Sequence, residues 1–184
     1  MSQRALLLID FQQEYLSAGK LPLQQINQAV AKAIQLLEYH RQLGDNIIHV
    51  HHVNSQPEAA IFIADTPAIQ PIDGLQASDN ELVLIKHRPN AFVQTSLEQL
   101  LKEANINELI IAGAMSHMCI EASTRAAVDL GFKCTVIENA CATRELEFNG
   151  VTVPAKQVHA ASMAALAFAY AEVVSYEQFI GAVD

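Results

Sequence analysis

Three residues of this chain carry side chains that could do covalent chemistry together: Asp10, Lys86 and Cys119. Each follows an apolar run. Asp10 closes ALLLI, Lys86 closes LVLI, and Cys119 comes after LIIAG and a short turn, AMSHM. A carboxylate at the end of an apolar strand is costly unless a partner meets it, and a buried ammonium likewise needs a counter-charge. Cys119 is expected in the first turn of a helix. There the positive end of the helix dipole and a neighbouring ammonium both lower a thiol pKa. An acid/base group, a cation and a nucleophile at one rim would make an activated nucleophile. On this reading the Cys119 pKa lies below that of a free thiol, and Lys86→Ala raises it. Taken singly, each residue has an ordinary reading too. Cys119 could be a core thiol, Asp10 a cap and Lys86 a solvated edge residue.

The elements that must position these residues follow from periodicity. Residues 4–10 are nearly continuous apolar, as in a strand covered on both faces. Residues 24–43 carry Ile26, Ala29, Val30, Ala33, Ile34 and Leu37 at helical spacing, with Gly44 at the C′ position. Strands are predicted over 46–53, 82–86, 108–114, 133–138 and 172–175. Helices are predicted over 96–104, from about 117 to 130, over 154–170 with Pro154 near the first turn, and over 176–182. This alternation predicts a single-domain α/β fold over 1–184. It is a three-layer α/β/α sandwich with a mostly parallel, roughly six-stranded, Rossmann-like sheet. Sites in such sheets lie at the carboxyl ends of the strands, which selects Asp10 and residues 51–54, 86–90 and 113–119. Residues 54–80 read as a long loop, the kind that serves as a lid or an interface.

Hydrophobic residues make up 51% of the 184 and charged residues 17%, enough apolar material for one core and too much for disorder. A net charge of −9 without a basic cluster gives no footprint for nucleic acid and no hold on an anionic membrane. No run approaches the roughly 20 apolar residues of a membrane span, and the first residues lack a signal-like apolar region and cleavage site. Cys119, Cys134 and Cys141 form an odd set without a CxxC pair, so a reducing cytoplasm is expected rather than a disulfide framework. Cys134 and Cys141 read as core thiols.

Three ordered stretches resemble motifs of the isochorismatase-like (nicotinamidase-related) cysteine hydrolases. ALLLIDFQQEY (5–15) resembles the opening strand motif, with its Asp10 and Gln12. LVLIKHRPNAFVQTSLEQLL (82–101) resembles the lysine motif. IAGAMSHMCIEASTRAAVDLGF (111–132) is similar to the cysteine signature, and CTVIENACAT (134–143) has the family's spacing. The resemblance covers nearly the whole chain. It implies that Asp10, Lys86 and Cys119 form a catalytic triad, with Asp10 as general base, Cys119 as nucleophile and Lys86 holding both electrostatically. It implies an oxyanion hole made by the backbone N–H groups of Met115 and Cys119, and a non-proline cis peptide at Ala114–Met115. The implied reaction cleaves a C–N bond (amide, ureido or lactam-like) of a small molecule through a Cys119 thioester. No cofactor, nucleic acid or membrane is implied, and a homo-oligomer, dimer or tetramer, is. Members that hydrolyse a vinyl ether lack the cysteine, so Cys119 argues against that route.

Nicotinamidases of this superfamily hold a metal through an Asp-x-His pair and a further histidine near the second strand. Here the matching region reads HVHHVN (49–54), without that pair. Alternation puts His49 and His51 on one face and His52 on the other. Two imidazoles fall short of the three protein ligands usual at catalytic zinc. No metal is expected, and His49 and His51 would be the ligands if one were bound. Two alternative functions follow: a zinc-assisted nicotinamidase-like amidase and a non-catalytic ligand-binding homologue. Phe11, Gln12, His51, Phe92 and His117 are assigned to a substrate pocket, and Met115 could join its wall; Phe11, Phe92 and Met115 read equally as core. His117 could also be a competing base, and His159 has no assigned role. Specificity falls to 54–80 and 144–153. The Ala-rich helix over 154–170 either covers the sheet or forms an oligomer interface.

Overall fold

The first strand, β1 (Arg4–Ile9), is buried on both faces. Leu6 and Leu8 join one apolar cluster, and Ala5, Leu7 and Ile9 join the other. That is why its sequence shows no alternation. The computed structural model describes residues 3–56 and 58–183; residues 1, 2, 57 and 184 of the expected 1–184 domain lie outside the described residues. From β1 the chain runs through α1 (Ile26–Leu43) to β2 (Asn46–His52), which lies parallel to β1. β3 (Leu82–Lys86) pairs with β2. α2 (Leu97–Glu103) then returns to β4 (Glu108–Ala114), on the other side of β1. A π-helical turn over Ser116–Ile120 leads into α3 (Glu121–Asp129) and β5 (Lys133–Ala142). A hairpin of β6 (Leu146–Phe148) and β7 (Val151–Val153) precedes α4 (Ala155–Ala169), β8 (Glu172–Val174) and α5 (Tyr176–Val183).

Among the described residues the main sheet has six strands in the order β3-β2-β1-β4-β5-β8, all parallel. Residues of α1 and α5 pack on the Leu6–Leu8 face, and residues of α2, α3 and α4 on the Leu7–Ile9 face. This is the expected three-layer α/β/α sandwich. Each fully buried Leu or Ile of β1 stabilises the fold by about 1.5–3 kcal/mol, so β1 is the axis of both layers. The chain works outward from β1 through β2 and β3, then returns to the centre and works outward again from β4. That reversal leaves a crevice outside the carboxyl ends of β1 and β4.

Several local features shape the crevice. Gly113, at φ +145°, lies so close to β1 that a Cβ there would sit 2.0 Å from the Ile9 carbonyl oxygen. Only glycine lets β4 approach this closely. The Ala114–Met115 peptide that follows is cis. The helix expected from His117 is instead a wider π-turn, in which the Met118 and Ile120 N–H groups both donate to the Met115 carbonyl at 3.0 and 3.3 Å. The fifth strand runs on to Ala142 through a register shift: Ile111 faces Val136, but Gly113 faces Cys141. The stretch 144–153 forms the β6–β7 hairpin, turned by Asn149 and Gly150, both at positive φ. An Asn-Gly pair is the usual turn of a two-residue hairpin.

Candidate active site

Asp10 ends β1 in the left-handed region at φ 56°, a conformation Asp tolerates better than most residues. Its N–H donates to Val50 at 2.8 Å, and its carbonyl accepts from the Gln12 N–H at 2.8 Å. Lys86 ends β3. Its Nζ lies 2.7 Å from Asp10 Oδ2, 3.2 Å from His52 Nδ1 and 3.4 Å from Cys119 Sγ. An ammonium has three N–H donors, and these three partners satisfy all of them. Both Asp10 and Lys86 are 0% exposed and Cys119 is 6% exposed. The Cys119 thiol bonds the Asp10 carboxylate. Three strand ends separated in sequence thus meet at one buried point.

The electrostatics follow from that burial. Removal from water raises the Asp10 pKa, against the pull of Lys86 and of hydrogen bonds from Cys119 and Lys86. Burial also opposes the charge on Lys86, but Asp10 and Cys119 outweigh it and raise the Lys86 pKa. Cys119 departs from expectation. Burial first and the Asp10 charge second push its thiol well up, and Lys86 only partly offsets them. The expected depression fails because the sulfur is desolvated and the ammonium is already matched by a nearer carboxylate. The arrangement favours a resting state of ammonium, carboxylate and neutral thiol.

The turn before Cys119 presents backbone donors. The Met115 N–H makes no hydrogen bond among the described residues, whereas the Met115 carbonyl takes two. His52, on the face of β2 toward Lys86, is pushed down to about 4 by burial, then by Lys86 and His87. A neutral ring leaves Nδ1 free to accept from Lys86. His52 packs edge-on against Phe62 at 5.1 Å, and Phe62 packs edge-on against Tyr15 at 5.2 Å. Burial and the charges of Asp10, Cys119 and Glu14 raise the Tyr15 phenol pKa.

The expected pocket residues divide. Gln12 is fully buried and clamps the backbone: its Nε2 donates to the His52 and Ile69 carbonyls at 2.9 Å each, and its Oε1 accepts from the His52 N–H at 2.8 Å. It fixes the crevice without facing open space. Phe11 is buried in the core on the α1 side, and Met115 packs at the edge of that cluster. Phe92 stacks on Phe132, 6.1 Å between ring centres. His117 Nδ1 bonds Thr143 Oγ1 at 2.6 Å rather than Cys119, and its pKa is lowered by burial. His51 lies beside His49 and is pushed down to about 4 by burial, then by His49.

His49 is committed elsewhere: its Nε2 lies 2.8 Å from Glu81 Oε2, which also takes the Ser78 N–H, while Arg41 binds the same carboxylate. Among the described residues no group of three or more His, Cys, Asp or Glu side chains is placed to hold a metal ion. Cys134 and Cys141 are buried and unpaired, and burial pushes each thiol to about 12. Sequence reasoning missed His52 as an acceptor for Lys86, and also Tyr15, Phe62 and Ser116. Tyr15 stood inside the 5–15 motif as an available signal. Phe62 lay in a loop without periodicity, so nothing marked it. Among the described residues no helix is long and apolar enough to cross a membrane.

Comparison with known proteins agrees with this geometry. The Isochorismatase domain family model matches residues 4–178. The isochorismatase family protein YddQ of Bacillus subtilis (strain 168) is 40% identical over 176 residues, covering 96% of this chain and 98% of its own. A crystal structure assigned to the isochorismatase hydrolases, from Oleispira antarctica, superposes with a TM-score of 0.93 at 46% identity, covering 97% of this chain and 96% of that one. Maleamate amidohydrolase of Pseudomonas putida (strain KT2440) is 28% identical over 155 residues, 76% of this chain and 72% of the relative. The crevice at the β1–β4 reversal, its buried Asp–Lys–Cys cluster and these matches have one common reading: the chain belongs to the isochorismatase family of hydrolases.

Proposed function

We propose that this protein is a cysteine amidohydrolase that cleaves a C–N bond of a small molecule (an amide, ureido or lactam-like compound) through a Cys119 thioester. One observation carries the reading: Lys86 Nζ lies 2.7 Å from Asp10 and 3.4 Å from Cys119 Sγ inside a dry cluster, with the thiol bonded to the carboxylate. Asp10 takes the thiol proton as general base. The transfer turns a carboxylate and a thiol into a carboxylic acid and a thiolate beside the same ammonium. The net charge of the cluster does not change, so a high thiol pKa is compatible with reaction. The two groups share one proton, and their titration belongs to the pair.

The thiolate attacks the carbonyl carbon, and the N–H groups of Met115 and Cys119 receive the developing oxyanion. Collapse breaks the C–N bond, and Asp10 returns its proton to the departing amine or ammonia. Asp10 then deprotonates a water, which attacks the thioester, and the acid leaves with Cys119 restored as a thiol. The amidohydrolase among the relatives supports the bond type. Three unpaired thiols suit a reducing cytoplasm. Assembly into a dimer or tetramer belongs to the same proposal, supported by Phe168 of α4, which is 91% exposed.

The test is a panel of small primary amides, ureido compounds and lactams. Release of ammonia or amine would be followed together with the intact mass of the protein. The expected result is turnover by the wild type, none by Cys119→Ala, and an acyl adduct on Cys119 trapped by rapid acid quench. Turnover that persists in Cys119→Ala would sink the proposal.

A further inference from the structure

Ser116 sits in the turn between Met115 and Cys119 and is fully buried. Its Oγ lies 2.8 Å from His159 Nδ1 on α4 and 3.3 Å from the Ala142 carbonyl oxygen at the end of β5. The other ring nitrogen, His159 Nε2, lies 3.5 Å from Glu138 Oε2 on β5. A hydroxyl has one proton to give. If Ser116 donates to His159 Nδ1, the ring carries its proton on Nε2, toward Glu138. If Ser116 donates to Ala142, Nδ1–H must donate to Ser116. In either arrangement His159 decides where the Ser116 hydroxyl points. Ser116 is no second nucleophile, because it has no exposed surface.

We propose that His159 is a positioning residue that acts through Ser116 to aim the Met115 N–H at the oxyanion; this rests on the hydrolytic reading above. The Met115 N–H has no hydrogen bond of its own among the described residues, so its direction depends on how the turn is anchored. One anchor is the Met115 carbonyl, held by Met118 and Ile120. The other is the Ser116 side chain, which ties the turn to α4 and β5. An oxyanion donor works only if it is aimed where charge develops. Loosening the second anchor therefore weakens acyl transfer more than it weakens the thiol.

The test compares two reactions of Cys119. Acylation by p-nitrophenyl acetate builds an oxyanion, and alkylation by iodoacetamide does not. His159→Asn places an amide where Nδ1 stands and keeps the reach to Ser116. His159→Gln places its amide farther out, near Nε2, and loses that reach. His159→Gln is expected to slow acylation about tenfold, the usual effect of one lost hydrogen bond. Its alkylation rate and melting temperature should match the wild type. His159→Asn should recover acylation to within about threefold of the wild type. In a Ser116→Ala background, His159→Gln should cause no further loss, because the two residues act as one unit. Equal acylation in His159→Gln and wild type overturns the inference. Equal losses in the Gln and Asn variants, or parallel losses of acylation and alkylation, overturn it as well. If the wild type itself is alkylated but never acylated, the hydrolytic reading fails first, and that is seen before any variant is compared.

Discussion

Replacing Lys86 by methionine would keep much of the side-chain volume and remove the charge from the centre of the site. Asp10 and Lys86 are both 0% exposed and 2.7 Å apart, so the change strands a carboxylate in a dry cavity. Breaking a buried ion pair by removing one partner costs about 3–5 kcal/mol. In a domain of this size each kcal/mol moves the melting temperature by roughly 2–4 °C, which gives an expected fall of about 6–20 °C. Asp10→Asn combined with Lys86→Met removes both charges and should recover most of the loss, without restoring activity. The pH dependence gives a second reading. In Lys86→Met the burial that raises the Asp10 pKa remains, while the ammonium that lowers it is gone. A raised carboxyl pKa favours the fold fully below the unfolded value, and that contribution is lost as pH rises through the folded pKa. The gap between variant and wild type should therefore be narrower near about pH 5 than near about pH 8. Calorimetry of the three proteins at both pH values decides the matter. A single variant that melts within about 2 °C of the wild type would refute the claim that Lys86 and Asp10 form a mutually compensating buried pair.

Three further outcomes are expected. Asp10→Asn should slow iodoacetamide alkylation of Cys119 by about tenfold or more, because the proton acceptor is lost; a lone thiolate beside Lys86 would instead react faster once the carboxylate charge is removed, and peptide mass mapping separates the two. Gly113→Ala should destabilise the fold by more than about 3 kcal/mol in urea titration, since the new Cβ meets the Ile9 carbonyl at 2.0 Å at a φ of +145°; an unchanged midpoint would contradict the close β1–β4 approach. His51 and His52 are pushed down to about 4 by burial, so the stability they confer is present above about pH 6.5 and is lost as pH falls through about 4. Because both are partly exposed, each should contribute about 1–2 kcal/mol to acid destabilisation, readable as a flatter melting-temperature profile in His51→Asn.

The sheet was legible because its strands are apolar on both faces and its helices keep a 3.6-residue spacing. Asp10, Lys86 and Cys119 could be chosen because each ends or follows such a strand and all three fall at carboxyl ends. Charge state was not legible. The Cys119 pKa depends on how deeply the sulfur is buried and on which cation is nearest, and both are properties of strands far apart in sequence. Gln12 matched a motif but gave no sign of its task, which is set by the His52 and Ile69 backbone. The β6–β7 hairpin had an Asn-Gly signal, but strands of three residues are too short for alternation to show. His49 read as a candidate ligand until its partner, Glu81, emerged from a loop without periodicity.

The order β3-β2-β1-β4-β5-β8 also bears on how the protein comes to exist. Parallel neighbours cannot be joined by tight turns, and every ladder of the main sheet closes a long excursion of the chain. Lys86 and Cys119 are 33 positions apart, and Gln12 reaches His52 across 40. Contacts of such separation must bear loop-closure entropy before they stabilise anything, which makes folding slow. No local segment holds a partial version of the site. Its proton-sharing cluster arises only when the outer and inner strands have docked, so reactive chemistry is withheld from every shorter-range intermediate. Catalytic competence in this architecture is a reporter of completed long-range assembly.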